Sequence, residues 1–377
     1  MKKRFVYADN AATTAISPYV LEKMLPFLTE QYGNASAVYS KGRKARTAVE
    51  TAREQIAAAL SCSPEEIFFT SGGTESDNWA IRGVCQAAKG KNHIITSSIE
   101  HHAVLNTCRF LGQNGYRITY IPVDSSGTVN PDDIEKAIAP DTALVSIMYA
   151  CNETGVIQPV SEIGNICRKH AVPFHTDAVR AAGHLEINVN EQNISLLSIS
   201  GHKIHAPKGT GALYIRKGTN ISNLMFGGAQ ENSLRPGTEN TAAIVGLGAA
   251  FENLSSDMDT NRRHTEKIRN RLESRLSESK RISVNGISGQ RLPGISNITV
   301  KGADGEQILL MLDLKGICAS AGSACTSGSS EPSHVLKAMG LSDADAYSSL
   351  RFSFGHLNSA DDADYIADTL NEILRKL

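Results

Sequence analysis

The sequence lacks the features that mark membrane, secreted or nucleic-acid-binding proteins. Its 377 residues contain no run near the roughly 20 apolar residues that a membrane helix requires. The basic start at residues 1–4 is not followed by the apolar segment of a secretory signal. The formal net charge is only −1, so no overall field favours nucleic acid or an anionic membrane. We therefore expect a cytoplasmic protein with no membrane partner and no direct nucleic-acid binding.

The seven cysteines form neither an even set nor a CxxC pair. This pattern argues against a disulfide framework or a zinc site, and we expect no metal. Most free cysteines are buried, but Cys325 lies in a segment dense in Gly, Ser and Ala at 319–330, which we expect to be exposed and mobile. A thiol there can be reactive if its surroundings lower its pKa. An incidental loop cysteine is the less favoured alternative, because exposed free thiols are a liability.

Short apolar runs alternate with amphipathic stretches through the first two-thirds of the chain. The runs at 67–69, 93–96, 143–148 and 172–175 are typical of buried strands, and 44–60 and 159–170 of helices between them. This rhythm predicts βαβ units and a mostly parallel sheet with helices on both faces.

The pattern changes near residue 255. A charged helical stretch at 257–280 is followed by short strand signals at 282–284, 298–300 and 350–353, interleaved with helical patterns at 305–314 and 360–377. We interpret this part as a smaller α+β domain.

Two motifs follow predicted strands of the large sheet. The segment 70–78 contains Gly72 and Gly73 and opens a helix, so its backbone N–H groups can bind an anion, with Thr74 adding a hydroxyl. A capped turn is the alternative, and the local pattern alone favours it. Lys203 comes directly after the apolar strand at 194–199, where burial can depress a lysine pKa as Schiff-base chemistry requires. The alternative is a surface lysine.

Two charged residues also end or occupy predicted strands. Asp177 ends a buried strand, where a carboxylate is costly without a cationic partner. The protonated ring nitrogen of pyridoxal phosphate is one such partner, and a helix cap is an equally good local explanation. Arg351 lies in a short strand of the second part, where a guanidinium can clamp a substrate carboxylate. A surface salt bridge is the preferred explanation of Arg351 taken alone.

Taken in order, these motifs resemble the cysteine desulfurases of the NifS/IscS type, in the aminotransferase class V group of fold-type I enzymes. The resemblance covers nearly the whole chain. Its segments are 7–14 (YADNAATT), 71–78 (SGGTESDN), 100–101 (EH), 152–155 (NETG), 200–203 (SGHK), 235–240 (RPGTEN), 322–325 (GSAC) and 351–353 (RFS).

The resemblance implies an α/β, aspartate aminotransferase-like fold and pyridoxal 5'-phosphate as the cofactor. The large cofactor-binding domain would span 15–255, and the small domain would comprise 1–14 and 256–377 and carry the cysteine segment at about 319–332. The resemblance implies that Lys203 holds the cofactor, that Asp177 contacts its ring nitrogen, and that His101 stacks on its ring and moves protons. The residues implied for the cofactor phosphate are Gly73, Thr74, Ser200 and His202, and further cofactor contacts are implied for Asn152 and Arg180. The residues implied for the substrate are Asn152, Arg351 and Asn10, and Cys325 is implied as the nucleophile.

The implied reaction converts L-cysteine to L-alanine and leaves the sulfur as a persulfide on Cys325. In it the amine of Lys203 would remove the substrate Cα proton. The sulfur would then pass to an acceptor, such as an iron–sulfur scaffold protein or a pathway that thiolates cofactors or nucleic acids. Thr238 would reach the phosphate of a neighbouring subunit, which implies a homodimer with shared active sites.

Three alternatives stay open at this point. Selenocysteine lyases catalyse a homologous reaction but do not strictly need the loop cysteine. Other class V reactions, such as transamination or kynureninase-type cleavage, do not explain the segment around Cys325. A non-catalytic scaffold or sulfur carrier does not explain the combination of Lys203, Asp177 and His101.

The chain departs from the family pattern at several positions. Arg180 stands where the family usually has Gln on the cofactor's phenolic oxygen, and we hypothesise that its permanent charge still serves that oxygen. Ala35, Tyr39 and Cys151 replace the more usual Pro, His and Asn. These departures concern substrate positioning, rate and acceptor choice rather than the reaction class.

Overall fold

The computed structural model describes residues 4–321 and 332–377, with side chains throughout except at 255–257. The strands of these ranges are β1 (Val6–Tyr7), β2 (Ile67–Thr70), β3 (His93–Ser97), β4 (Arg117–Ile121), β5 (Thr142–Ser146), β6 (Phe174–Asp177), β7 (Leu196–Ser200), β8 (Gly211–Ile215), β9 (Ile282–Val284), β10 (Ile295–Val300), β11 (Ile317–Cys318), β12 (Ser320–Ala321) and β13 (Ser349–Ser353).

The α-helices of the same ranges are α1 (Pro18–Thr29), α2 (Ser40–Leu60), α3 (Gly73–Ala87), α4 (His102–Gln113), α5 (Pro131–Ala137), α6 (Val160–Lys169), α7 (Thr241–Leu276), α8 (Gly305–Leu314), α9 (His334–Ala338), α10 (Asp343–Tyr347) and α11 (Ala360–Leu374). None of them combines the length and apolar character needed to span a membrane.

The large sheet has seven strands in the order β2-β8-β7-β6-β5-β3-β4. Neighbours from β7 to β4 run parallel, whereas β8 is antiparallel to β2 and β7. The predicted mostly parallel sheet is confirmed. Because parallel strands bring their carboxyl ends to one edge, the residues after β6 and β7 meet there.

Both faces of this sheet are buried, as its apolar strands predict. Along β5, Leu144 packs with α3 and α4 on one face and Val145 packs with α2 and α6 on the other. Successive side chains of a strand point to opposite faces, so a continuous apolar run supplies both cores.

A second sheet of four antiparallel strands has the order β12-β13-β10-β9, and β1 pairs with β11 separately. Its core joins Leu350 and Phe352 of β13 to Ile366 and Leu370 of α11. A parallel bridge between Asp9 and Ser353 attaches the start of the chain to β13. The predicted strands at 282–284, 298–300 and 350–353 all lie within strands of this region.

The charged helical stretch predicted at 257–280 is the second half of a longer helix, except that 277–280 lie beyond the end of that helix. The helix α7 begins at Thr241 and runs for 36 residues. Its first half carries Leu247 into the core of the large sheet, and its second half carries Ile268 and Leu272 into the core of the small one. The change in composition near 255 therefore marks a change of surroundings within one helix. The proposed domain boundary falls inside α7, and the division into two domains stays a prediction.

Candidate active site

A cavity of about 170 Å³ lies at the carboxyl edge of the large sheet, beside β13 of the small one. Most of the predicted site residues line it: Gly73, Thr74, His101, Asn152, Asp177, Arg180, Ser200, His202, Lys203 and Arg351. Residues far apart in sequence are thus brought together by the parallel sheet and by β13.

The turn before α3 forms one wall of the cavity. Gly72 has a φ of 146°, which a residue with a side chain rarely adopts. A Cβ on Gly73 would lie 2.6 Å from Cγ2 of Val179, so a side chain there would crowd the loop that follows Asp177. The first N–H groups of α3 face this wall without intrahelical partners, as at any helix start, and favour an anion.

Lys203 ends a short 3-10 turn, Gly201–Lys203, that follows β7 directly. Its Nζ donates to the backbone oxygens of Ala11 and Ala12 at 2.8 and 2.7 Å. Next to it, the Nδ1 atom of His202 lies 3.1 Å from Oγ1 of Thr13. Burial, and then the charge of Lys203, lowers the pKa of His202 to about 4. His202 is therefore neutral at pH 7 and can donate one hydrogen bond to an anion.

Asp177, the last residue of β6, is 7% exposed. Its Oδ1 atom accepts from the backbone N–H of Val179 at 2.9 Å. Burial raises the pKa of the Asp177 carboxyl, and His101, Lys203 and Arg180 oppose that shift. A buried carboxylate of this kind gains most from a cation placed directly against it.

His101 is the N-cap of α4, with its Nδ1 atom accepting from the backbone N–H of Ala103 at 3.1 Å. That contact leaves Nδ1 as the acceptor nitrogen, so the ring proton of a neutral His101 is on Nε2. A ring nitrogen of His101 and carboxylate oxygens of Asp177 and Asp77 lie within 4.8 Å of one another. The arrangement is suited to moving a proton at the cavity wall.

Two buried arginines line the cavity in contrasting ways. Arg351 is 1% exposed, and its Nη1 and Nη2 atoms donate to the Asn152 carbonyl at 3.0 Å and to Oδ1 of Asp9 at 2.9 Å. Arg180 is 6% exposed, and its Nε and Nη1 atoms have no hydrogen-bond partner among the described residues. Burial, and then the charge of Arg351, lowers the pKa of Arg180 to about 10, so Arg180 is still a cation at pH 7.

The sequence interpretation missed three acids around the cavity, the buried Asp77 and Glu100 and the partly buried Asp9. Asp77 lines it and is 1% exposed, and burial together with the charge of Asp177 raises its pKa. Glu100 accepts from Ser97 Oγ at 2.6 Å and from the Met148 N–H at 2.9 Å. Asp9 pairs with Arg351. All three lie inside the segments that carry the family resemblance, so those segments were the available signal.

Of the predicted site residues that the structure describes, two, Asn10 and Thr238, do not line this cavity. The side-chain nitrogen of Asn10 donates to the Ser353 carbonyl at 3.0 Å and to Oδ1 of Asn358 at 3.2 Å. Thr238 is exposed on the surface of the chain. Cys325 lies outside the described residues. The roles assigned to these three residues stay predictions.

The loop that carries Thr238 is nevertheless tied to the turn before α3. Arg235 donates from Nε to Oε1 of Glu75 at 2.8 Å, and Glu75 accepts from the backbone N–H of Ser71 at 2.9 Å. These contacts join residues 235–238 to the start of α3.

The fold and this site define an enzyme of the aminotransferase type. The sequence model of the aminotransferase class-V family matches residues 6–366, and the chain belongs to that family. The resemblance to the NifS/IscS group is confirmed, because the chain is 49% identical over 377 residues to the cysteine desulfurase IscS of Methanosarcina thermophila, covering 100% of this chain and 93% of that one.

Solved structures agree with this assignment. A NifS-like protein matches with a TM-score of 0.94 at 38% identity, covering 99% of this chain and 100% of that chain. A structure described as SspA in complex with cysteine matches with a TM-score of 0.83 at 39% identity, covering 93% and 99%.

Proposed function

We propose that the chain is a pyridoxal-phosphate-dependent cysteine desulfurase, which converts L-cysteine to L-alanine and transfers the sulfur to Cys325. The observation that carries this proposal is the cavity in which Lys203, Asp177, His101 and Arg351 meet. Support comes from the full-length similarity to cysteine desulfurases and from the similar structure described with cysteine bound.

The residues around the cavity fit pyridoxal phosphate. Gly73 lines the cavity, and a Cβ on it would lie 2.6 Å from Cγ2 of Val179, so the turn presents bare backbone that an anion can approach closely. Asp177 is a buried acid that gains from a cation, and Arg180 is a buried cation whose Nε and Nη1 atoms lack partners among the described residues. A phosphate, a ring nitrogen and a phenolic oxygen meet these three needs.

Gly73, Thr74, Ser200 and His202 would therefore hold the phosphate, and Asp177 the ring nitrogen. When bound, the cofactor supplies an electron sink for the bond broken at the substrate Cα. Lys203 would attach the cofactor and, once displaced, its Nζ atom would move a proton to and from Cα. The carbonyls of Ala11 and Ala12 keep Nζ at the cavity wall.

Arg351 and the side chain of Asn152 would hold the substrate carboxylate. Five N–H groups are available on a guanidinium, and the described contacts of Arg351 use only two of them. The Nε2–H of His101 would donate a hydrogen bond to atoms of the substrate that gain negative charge. Arg180 would bind the phenolic oxygen, where its fixed charge stabilises the anionic form.

The remaining parts of the proposal concern partners. Cys325 would accept the sulfur and pass it to an acceptor protein, such as an iron–sulfur scaffold. A second copy of the chain would place its Thr238 at this phosphate, and Asn10 would contribute to the substrate side. We place the enzyme in the cytoplasm.

The test is to incubate the holoenzyme with L-cysteine, measure alanine and map the persulfide. We expect alanine in wild type and in Lys208→Ala, an exposed-lysine control, together with a persulfide on Cys325. Absence of alanine, or a persulfide that survives Cys325→Ser, would contradict the proposal. Turnover of selenocysteine that persists in Cys325→Ser, without turnover of cysteine in wild type, would favour selenocysteine lyase.

A further inference from the structure

Asp9 lies behind the candidate carboxylate site and uses both of its oxygens. Oδ1 accepts from Nη2 of Arg351 at 2.9 Å, and Oδ2 accepts from Oγ of Ser320 at 2.7 Å. The Asp9 side chain is 14% exposed and that of Arg351 is 2% exposed. The pair is thus largely shielded from water, where a charge-assisted hydrogen bond orients its partners most strongly.

The backbone holds Asp9 in place independently of its side chain. The N–H of Ser353 donates to the carbonyl of Ala8 at 2.7 Å, and the N–H of Asn10 donates to the carbonyl of Ser353 at 3.1 Å. Ser320 lies opposite Arg351 in the register of β12 and β13. The carboxylate is therefore presented to Arg351 by a fixed frame.

Arg351 lines the cavity, whereas Asp9 is not among the residues that line it. The guanidinium of Arg351 donates from Nη2 to Asp9 and from Nη1 to the Asn152 carbonyl. Its Nε atom has no hydrogen-bond partner among the described residues. The fork is thus fixed by protein contacts that leave other N–H groups for a ligand in the cavity.

Asp9 also compensates charge. Arg180 and Arg351 line the same small cavity, and like charges at short range repel. The Asp9 carboxylate attracts both guanidinium groups, and it touches only Arg351. Without Asp9, Arg351 would lose the contact that fixes its fork and would stand against Arg180 with less compensation.

We infer that Asp9 is a positioning residue that sets the affinity and selectivity of Arg351 for the substrate carboxylate. The inference rests on the proposed function, because it takes an amino acid carboxylate as the ligand of Arg351. It predicts that Asp9 acts on carboxylate recognition and leaves the rest of the substrate site unchanged.

The test compares L-alanine with L-alaninamide, two unreactive ligands that differ only at the carboxylate. Their dissociation constants are measured from the absorbance of the holoenzyme, in wild type and in Asp9→Asn, which keeps the shape of the side chain and removes its charge. We expect affinity for L-alanine to fall about tenfold, because a neutral partner holds the Arg351 guanidinium less firmly than a charged one, while affinity for L-alaninamide stays within about twofold. KM for cysteine should rise by the same factor with little change in kcat.

Equal weakening of both ligands, or no weakening of either, would overturn the inference. Asp364→Asn is the matched control, because it removes an aspartate paired with Arg271 and Arg275 far from the cavity lining. If Asp9→Asn does not fold, Asp9→Glu gives the same comparison, since a displaced charge must still change the ratio of the two affinities. Wild type that binds L-alanine but makes none from cysteine would refute the proposed function and leave the result for Asp9 interpretable.

Discussion

The arginines on the two sides of the cavity, Arg351 and Arg180, differ in their hydrogen-bond partners. On the small-sheet side, Arg351 is held by Asp9 and by the Asn152 carbonyl. On the large-sheet side, Arg180 is also buried, but both its Nε and its Nη1 atoms have no hydrogen-bond partner in the described part of the chain, whereas Arg351 has such an atom only at Nε. A guanidinium fixed by the protein can recognise a ligand that comes and goes. One that lacks such partners is suited to a ligand that stays bound.

We therefore expect substitutions on the large-sheet side to change the binding or chemistry of the cofactor, and substitutions on the small-sheet side to change the affinity for substrate. The predictions below test this division.

The largest effect is expected for Lys203→Ala, on the large-sheet side. The change removes the amine that attaches the cofactor and moves the Cα proton, so the rate of alanine formation should fall at least about 10³-fold. The yellow absorbance of the holoenzyme should be lost as well. Lys208→Ala should keep both properties, and an active, coloured Lys203→Ala enzyme would show that another residue holds the cofactor.

A smaller effect is expected for Arg351→Lys, on the small-sheet side. Lysine keeps the positive charge but loses the planar fork that binds Asp9, Asn152 and a carboxylate together. KM for cysteine should rise about 10- to 100-fold, as loss of one or two charge-assisted hydrogen bonds implies, with the absorbance of the cofactor unchanged. Arg275→Lys, at a partly exposed position of α7 outside the cavity lining, is the control. A change in the absorbance of the cofactor without a change in KM for cysteine would contradict the assignment of Arg351 to substrate binding.

A still smaller effect is expected for Arg180→Gln, and it should change the binding and absorbance of the cofactor rather than KM for cysteine. Glutamine can still donate a hydrogen bond but lacks the charge that favours an anionic phenolic oxygen. Affinity for the cofactor should fall about tenfold or less, and the pH at which its absorbance changes should rise. KM for cysteine should stay within about twofold. An unchanged pH dependence of the absorbance would exclude the proposed contact.

The smallest effect concerns the pH dependence of stability through Glu100, beneath the large-sheet side. Burial raises its pKa to about 8, above the ~4.3 of an unfolded glutamate. A raised carboxyl pKa contributes stability that is fully present below the unfolded value and is lost as the pH rises through the folded value.

The Tm of the wild-type holoenzyme should therefore fall between pH 5 and pH 8 through this group. The Glu100→Gln side chain is neutral at every pH, so the Tm of this variant should fall less over the same pH range. Parallel Tm profiles for the two proteins in thermal unfolding experiments would contradict the raised pKa.

The sequence predicted the sheet and most of the cavity, for a physical reason. Apolar runs such as 143–148 report burial on both faces directly, and residues that end parallel strands, such as Asp177 and Lys203, must meet at one edge. The start of α7 was missed because composition reports the surroundings of a helix rather than its ends. The partner of Arg351 was missed because Asp9 reaches it across more than 340 residues of sequence, and no local pattern encodes such a contact.

The continuous helix α7 limits how this protein can be divided. At 36 residues it is about 54 Å long, and its two halves belong to different cores. A cut near residue 255 would sever a hydrogen-bonded helix and expose apolar side chains on both fragments. Exchange of segments between relatives should therefore succeed only at junctions in loops outside 241–276.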